Sequence, residues 1–240
     1  MDWMMSRRSG AAASALALSG AGALLTAHWL SGVAEAETFV RVPPPAAAAP
    51  AAAETEVAVL SGGCFWGMQG VFEHVKGVRE VLAGYAGGAA GSAHYEMVST
   101  GTTGHAESVE IKFDPKEISY GEILRIFFSV ASDPTQVGGQ YPDEGPQYRS
   151  EIWSMGPAQR RTAEAYVAQL NAAHVFRRPI ATRIDDFKGF FAAEGYHQDY
   201  LVHHPDAPYI ATYDAPKLTA LKTLFPGEWR QAPVLTLASR

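Results

Sequence analysis

The stretch SGGCFWGMQG, residues 61–70, contains Cys64, the single cysteine among 240 residues. Gly62 and Gly63 precede it, and Phe65 and Trp66 follow. The apolar run 57–60 reads as a short strand. Residues 66–76 read as a helix, with Met68, Phe72 and Val75 on one face and Gly77 as its stop. Cys64 then falls between a strand end and a helix start. Free backbone N–H groups and the positive end of the helix dipole favour a thiolate there, so the expected thiol has a lowered pKa and a nucleophilic sulfur. The glycines permit a sharp turn and leave room for a substrate. Phe65 and Trp66 can form an apolar wall against a small nonpolar group. A buried core cysteine beside ordinary aromatics is the competing reading, because free cysteine is often buried.

Glu107 is the second candidate. It shares strand parity with Val109, Ile111 and Phe113 and so points to the apolar face. Such a carboxyl is either a strand-end charge reaching water or a partly buried acid with a raised pKa. The second would give a proton donor at neutral pH. The histidines lack metal-binding spacing: His197, His203 and His204 form no such pattern, and GHAE is not H-E-x-x-H. A Cys–His pair remains open, because spatial partners need not be sequence neighbours.

The positioning elements follow from periodicity. Residues 78–85 and 108–113 alternate as strands, and GYAGGAAGSA is a glycine-rich loop between them. Ser119 and Glu122 fit a capping box opening a helix to about Val130. GGQYPDEGP reads as a loop, and residues 148–154 as a strand. Pro157 suits the first turn of a long helix reaching Asn171. A fifth strand is expected at 180–187, and a last helix at 192–202. From 57 to 154 the order is β-α-β-β-α-β. That is the ferredoxin-like split βαβ core, an α/β plait with helices on one face, here extended by a further helix, a strand and a long irregular C-terminal tail. The class is α+β.

Composition sets the frame. Hydrophobic residues make up 47% and charged residues 18%, which suits a globular chain. The net charge is -6, and no basic stripe interleaved with aromatics invites nucleic acid. One cysteine rules out a disulfide framework or multi-cysteine zinc site within these residues. Arg7 and Arg8 precede an apolar run at 11–30, and Ala34-Glu35-Ala36 offers small residues for a signal peptidase. Residues 1–36 therefore read as an export signal, with a hint of the twin-arginine route. The expected location is periplasmic or extracellular. An uncleaved membrane anchor facing outside the cytoplasm is the alternative. Residues 37–56, rich in Pro and Ala, read as a linker. The catalytic domain is expected over 57–230 and a tail over 231–240. No feature requires more than a monomer.

The blocks GCFWG (63–67), GYAGG (84–88), TGHAE (103–107), DPTQ (133–136) and QYRS (147–150) occur in an order that resembles the type A peptide methionine sulfoxide reductases. AEGYHQDYL (193–201) and PYI…D.PK (208–217) are similar to that family's C-terminal signature. The resemblance covers roughly residues 57–229. It implies reduction of methionine-S-sulfoxide, free or in proteins, to methionine, with no cofactor beyond an external thiol. It further implies Cys64 as the nucleophile, Phe65 and Trp66 as the holders of the S-methyl group, and Glu107 as the acid. Tyr95, Glu107 and Tyr148 would surround the sulfoxide oxygen, and Asp143 would polarise or orient the site. A neutral acid and two phenols suit a sulfoxide oxygen that leaves only once protonated.

Two positions depart from the resemblance. Many relatives carry further cysteines near the C-terminus that resolve the sulfenic acid, whereas FPGEWRQAPVLTLASR has none. A thioredoxin-like protein or a small thiol is then the expected reductant. Pro142 stands where the resemblance leads one to expect asparagine, which makes Asp143 the least secure assignment. A thiol peroxidase or Cys–His hydrolase is a second enzyme reading. A non-catalytic binder of oxidised methionine is a third, from another class.

Overall fold

The computed structural model describes residues 39–46 and 55–236. The expected export signal, part of the linker and the last four residues lie outside the described residues. In chain order these form β1 (Glu56–Gly62), α1 (Phe65–Glu73), β2 (Val78–Ala86), α2 (Tyr95–Val98), β3 (Ala106–Phe113), α3 (Tyr120–Ile126), β4 (Gly139–Gln140), β5 (Asp143–Glu144), β6 (Ser150–Ser154), α4 (Pro157–Ala172), β7 (Arg183–Asp186), β8 (Phe190–Ala192), α5 (Tyr200–His203) and α6 (Ala215–Leu224). The class is α+β.

One mixed sheet has the order β7-β6-β1-β3-β2-β8. β3 lies between β1 and β2 and runs antiparallel to both, so α1 must cross the sheet to join them. β6 flanks β1 antiparallel, and β7 joins β6 parallel. Strand alternation decides which side chains enter the main core. Ala58 and Leu60 of β1, Val81, Ala83 and Tyr85 of β2, and Val109, Ile111 and Phe113 of β3 all turn to one face. Against them pack Met68, Val71 and Phe72 of α1, Ile123 and Leu124 of α3, and Tyr166 and Leu170 of α4. A smaller cluster, Val59, Ala86, Ala106 and Trp153, covers the opposite face. The Ser119 hydroxyl accepts the Glu122 N–H at 3.2 Å, as the capping-box spacing requires.

Three regions depart from the sequence expectations. The helix expected over 192–202 is broken into β8, a 3-10 turn at Gly195–His197 and the short α5. The cause is Gln198. Its side-chain amide bonds both the N–H and the C=O of Ala83, at 3.0 and 2.9 Å, and so continues the β2 edge where β8 stops. Its backbone is extended to reach that edge, and Asp199 follows in the left-handed region. The C-terminal stretch expected to be irregular contains α6, with Pro at its first turn. Beyond it, Arg230 N–H bonds His74 C=O at 2.8 Å, Val234 N–H bonds Glu73 C=O at 3.1 Å, and Thr236 N–H bonds the Asp199 carboxylate at 3.0 Å. Residues 231–236 thus belong to the folded body rather than to a separate tail.

The linker reading also gives way at residues 39–46. Val42 is 0% exposed and joins the main core. Its N–H bonds Ser129 Oγ at 3.1 Å and its C=O accepts from Arg125 Nε at 2.9 Å. Tyr166 donates to Pro43 C=O at 2.6 Å. Val42 and Ala46 supply N–H donors, and Pro43 and Pro44 between them, with no N–H to satisfy, dock through their carbonyls.

Val42→Ala should lower unfolding stability by about 2 kcal/mol, from two lost buried carbon groups, read as a shift of the urea midpoint. Glu73, fully buried at the end of α1, offers a pH test. Burial, and secondarily Asp199, pushes its pKa up to about 10. An acid whose folded pKa is raised holds its proton better when folded, so stability should fall as pH rises from about 4.5 to about 10. The fall should flatten in Glu73→Gln, measured by urea midpoints across that range.

Candidate active site

Cys64 is the N-cap residue of α1 and remains partly exposed. The turn that delivers it is tight. Gly63 has φ +96, and a Cβ there would stand 2.7 Å from Gln140 Cβ. A Cβ on Gly62 would lie 2.8 Å from both Phe127 and Ser132. These glycines serve close packing beneath the turn. The expectation that they leave room for substrate is not what the contacts support.

The thiol is not activated in the manner expected from the helix start. Burial pushes the Cys64 pKa well above its ordinary value, and Glu107, Asp214 and Asp143 raise it further. The α1 terminus contributes one opposing influence, the Trp66 N–H. Desolvation and three carboxylates outweigh one backbone donor. The resting thiol therefore carries its proton at neutral pH.

Glu107 resolves to the buried alternative. It is 3% exposed, at the start of β3, and its carboxyl accepts the Phe65 N–H at 3.0 Å. Burial is the main cause that pushes its pKa up to about 8, with Asp143 and Asp214 adding to it against the Phe65 N–H. At neutral pH it is mostly protonated and able to donate.

Phe65 and Trp66 part ways at the start of α1. Phe65 is 1% exposed and lies under the site against Tyr85 and His197. Trp66 is half-buried and stacks on Tyr200 with ring centroids 3.9 Å apart, while Tyr209 meets it edge-on. Trp66 Nε1–H donates to His197 Nδ1 at 3.1 Å. Burial lowers the His197 pKa, which keeps the ring neutral and its Nδ1 able to accept.

Tyr95 opens α2 and Tyr148 ends the 3-10 turn Pro146–Tyr148. Burial raises both phenol pKa values, and each also feels the charges of Glu107, Cys64 and Asp143. Asp143, in β5, accepts the Tyr209 hydroxyl, so Pro142 does not remove it from the cluster. Burial raises the Asp143 pKa against that bond. Cys64, Glu107, Tyr95, Tyr148 and Asp143 thus occupy one electrostatic neighbourhood.

Sequence reasoning weighed His197 only as a metal ligand or thiol partner and passed over Tyr200, Tyr209, Asp214 and Glu194. Asp214 lies beneath α1, where a Cβ on Gly67 would come within 2.0 Å of its Oδ1. Burial pushes its pKa up to about 6, against the Lys217 ammonium 3.5 Å away. Glu194 accepts from Tyr85 OH at 2.8 Å and from Tyr95 N–H at 3.0 Å, fixing the start of α2. All five fall in the C-terminal blocks, where the sequence offers order but no spacing rule. Among the described residues, no group of three His, Cys, Asp or Glu side chains could hold a metal ion.

A lone, partly exposed thiol beside a half-buried tryptophan, a protonated buried carboxyl and several phenols defines a cysteine-dependent enzyme with built-in proton donors. The family profile described as peptide methionine sulfoxide reductase matches residues 56–227. A "Peptide methionine sulfoxide reductase MsrA 2" of Mesorhizobium japonicum is 50% identical over 189 residues, 79% of this chain and 97% of that one. One of the same description from Synechocystis is 51% identical over 164 residues, 68% and 77% of the two chains. The crystal structure of reduced Mxr1 from Saccharomyces cerevisiae aligns with TM-score 0.59 and 29% identity, over 70% of this chain and 94% of that one. The chain belongs to the type A peptide methionine sulfoxide reductase family and is an oxidoreductase.

Glu107→Gln removes the largest charge acting on Cys64. The pH midpoint of Cys64 alkylation by iodoacetamide should move down in that variant, because in the parent Glu107 is ionised where the thiol titrates. An unchanged midpoint would show that Glu107 does not act on the thiol.

Proposed function

We propose that the protein reduces methionine-S-sulfoxide, free or in proteins, through a sulfenic acid on Cys64. One juxtaposition carries this reading. The buried Glu107 carboxyl accepts the first backbone N–H of the helix that Cys64 caps, at 3.0 Å, and it is protonated at neutral pH. An acid and a thiol held by one helix start suit a reaction in which oxygen must gain protons as sulfur is attacked.

In this reading Trp66, over the floor made by Phe65, takes the S-methyl group. Tyr95, Tyr148 and Glu107 donate to the sulfoxide oxygen. Glu107 gives its proton to that oxygen, and sulfur becomes electrophilic. The Cys64 thiol loses its proton, which returns to the carboxylate, and its sulfur bonds the sulfoxide sulfur. Collapse of that adduct breaks the S–S and methionine S–O bonds, leaving the oxygen on Cys64 and releasing the thioether. The balance is one sulfoxide and one thiol to one thioether and one sulfenic acid. Asp143, held by Tyr209, orients the donors. Two equivalents of external thiol then reduce the sulfenic acid to thiol and water, with a disulfide as product. These 240 residues hold one cysteine, so that step is intermolecular, with a thioredoxin-like protein or a small thiol as reductant.

The same proposal places the protein outside the cytoplasm, on the strength of Arg7-Arg8, the apolar run at 11–30 and Ala34-Glu35-Ala36. The order β6-β1-β3-β2 supports reading the core as a ferredoxin-like plait, with β7 and β8 at its edges.

Single-turnover reduction tests the chemistry. With methionine-S-sulfoxide and no reductant, about one methionine per enzyme should form, with one oxygen added at Cys64 by mass spectrometry. The R epimer should give none, and Cys64→Ser should give none from either epimer. Glu107→Gln should slow this step by about a hundredfold while Cys64 stays alkylatable. Full-rate single turnover in that variant would remove Glu107 as the acid.

A further inference from the structure

Beside the catalytic cluster lies a groove of about 290 Å³, lined by Val137, Tyr141, Pro142, Asp143, Glu144 and Arg178 among others. Its position ties it to the site. Asp143 lines the groove and also holds Tyr209, whose ring meets Trp66 edge-on. Tyr141 in the groove packs edge-on against Tyr213 at 5.9 Å, and Tyr213 packs on Tyr209 at 5.1 Å. An aromatic series therefore runs from the groove to the tryptophan beside Cys64.

The groove lining is mixed: Val137, Tyr141 and Pro142 form an apolar strip among Gln136, Asp143, Glu144 and Arg178. Val137 is 85% exposed and Tyr141 49%. Pro142 continues the wall at the position where the family resemblance leads one to expect asparagine, so a ring replaces an amide. The wall is also stiff. Tyr141 N–H bonds Gln136 Oε1 at 2.7 Å, and Gln136 Nε2 bonds Asp133 at 3.1 Å. Gln140 bonds the Asp133 carbonyl at 2.8 Å and packs under Gly63. Gly145 N–H closes the hairpin on Gly138 C=O at 2.8 Å. A backbone held by these bonds presents its apolar strip ready-made, which suits the side chain of a peptide neighbour.

We propose that this groove is a specificity subsite for the apolar side chain of a residue next to the oxidised methionine in a peptide. The inference rests on the reductase reading and deepens it. Free methionine sulfoxide has no side chain to place there. Peptide substrates with an aromatic or branched aliphatic neighbour gain contact with Val137, Tyr141 and Pro142. Arg178, whose guanidinium donates to Thr135 Oγ1 at 3.3 Å, bounds the far side with a polar rim.

The test is kcat/KM, with dithiothreitol as reductant, on acetylated Gly-Gly-Met(S-sulfoxide)-Gly-Gly and on versions with Phe or Leu replacing the glycine on each side in turn. N-acetylmethionine-S-sulfoxide is run alongside. The parent should favour an apolar neighbour on one side by about tenfold over glycine, the size expected for partial burial of one large side chain. That ratio should fall to within about twofold in Val137→Ser and in Tyr141→Ser. Each ratio is taken within one variant, so a change in overall rate does not enter it. A parent ratio near one, or a ratio that survives both substitutions, would overturn the subsite. No turnover by the parent of N-acetylmethionine-S-sulfoxide or of any of the peptides would overturn the reductase reading, and the subsite with it.

Discussion

The first backbone N–H of α1 donates to the Glu107 carboxyl at the start of β3, and most of the site is arranged around that bond. A helix start normally turns its unpaired N–H groups to water or to an anion. Here one of them is spent on a buried acid. The bond fixes where α1 begins, and so fixes where Cys64 sits as its cap. It also sets two ionisations against each other. The N–H pulls the acid's pKa down, burial pushes it up further, and the acid's own charge raises the thiol. The outcome is a site in which carboxyl and thiol both hold their protons at rest. In the proposed reaction a substrate oxygen receives one of them.

The remaining architecture keeps that pair dry and aligned. Asp214 lies below the same helix turn, in space that only a glycine at 67 leaves open. Glu194 pins Tyr85 and the start of α2, which carries Tyr95 to the cleft. Gln198 ties the segment bearing His197 and Tyr200 to the β2 edge. The extended segments at 39–46 and 229–236 close over the helices from both chain ends, through carbonyls that proline leaves available and through backbone bonds to the end of α1. The C-terminal segment thereby holds the end of α1, while residues 39–46 hold α3 and α4.

Legibility followed the range of the interactions. Strand alternation read Glu107 onto the core face because parity is local. The Ser119 capping box read α3 for the same reason. The error about the Cys64 thiol came from the opposite circumstance. The helix-start effect is visible in sequence, while the desolvation and the charges of Asp143 and Asp214 come from loops and helices far along the chain. The broken helix after residue 192 has the same origin, since Gln198 gains more from the Ala83 backbone than from a continued helix.

The sequence alone determined that one thiol stands between small residues and two aromatics, that an acid shares the core face of a strand, and that the family blocks occur in order. Those are local facts of spacing and residue type. Only the tertiary structure decided which protons those groups hold and what surrounds them. It brought His197, Tyr200, Tyr209 and Asp214 to the cleft, turned Phe65 inward and Trp66 outward, and left Val137 and Tyr141 exposed beside Asp143. A pKa depends on every charge and on all the water excluded around a group, and those neighbours are chosen by packing rather than by position in the chain.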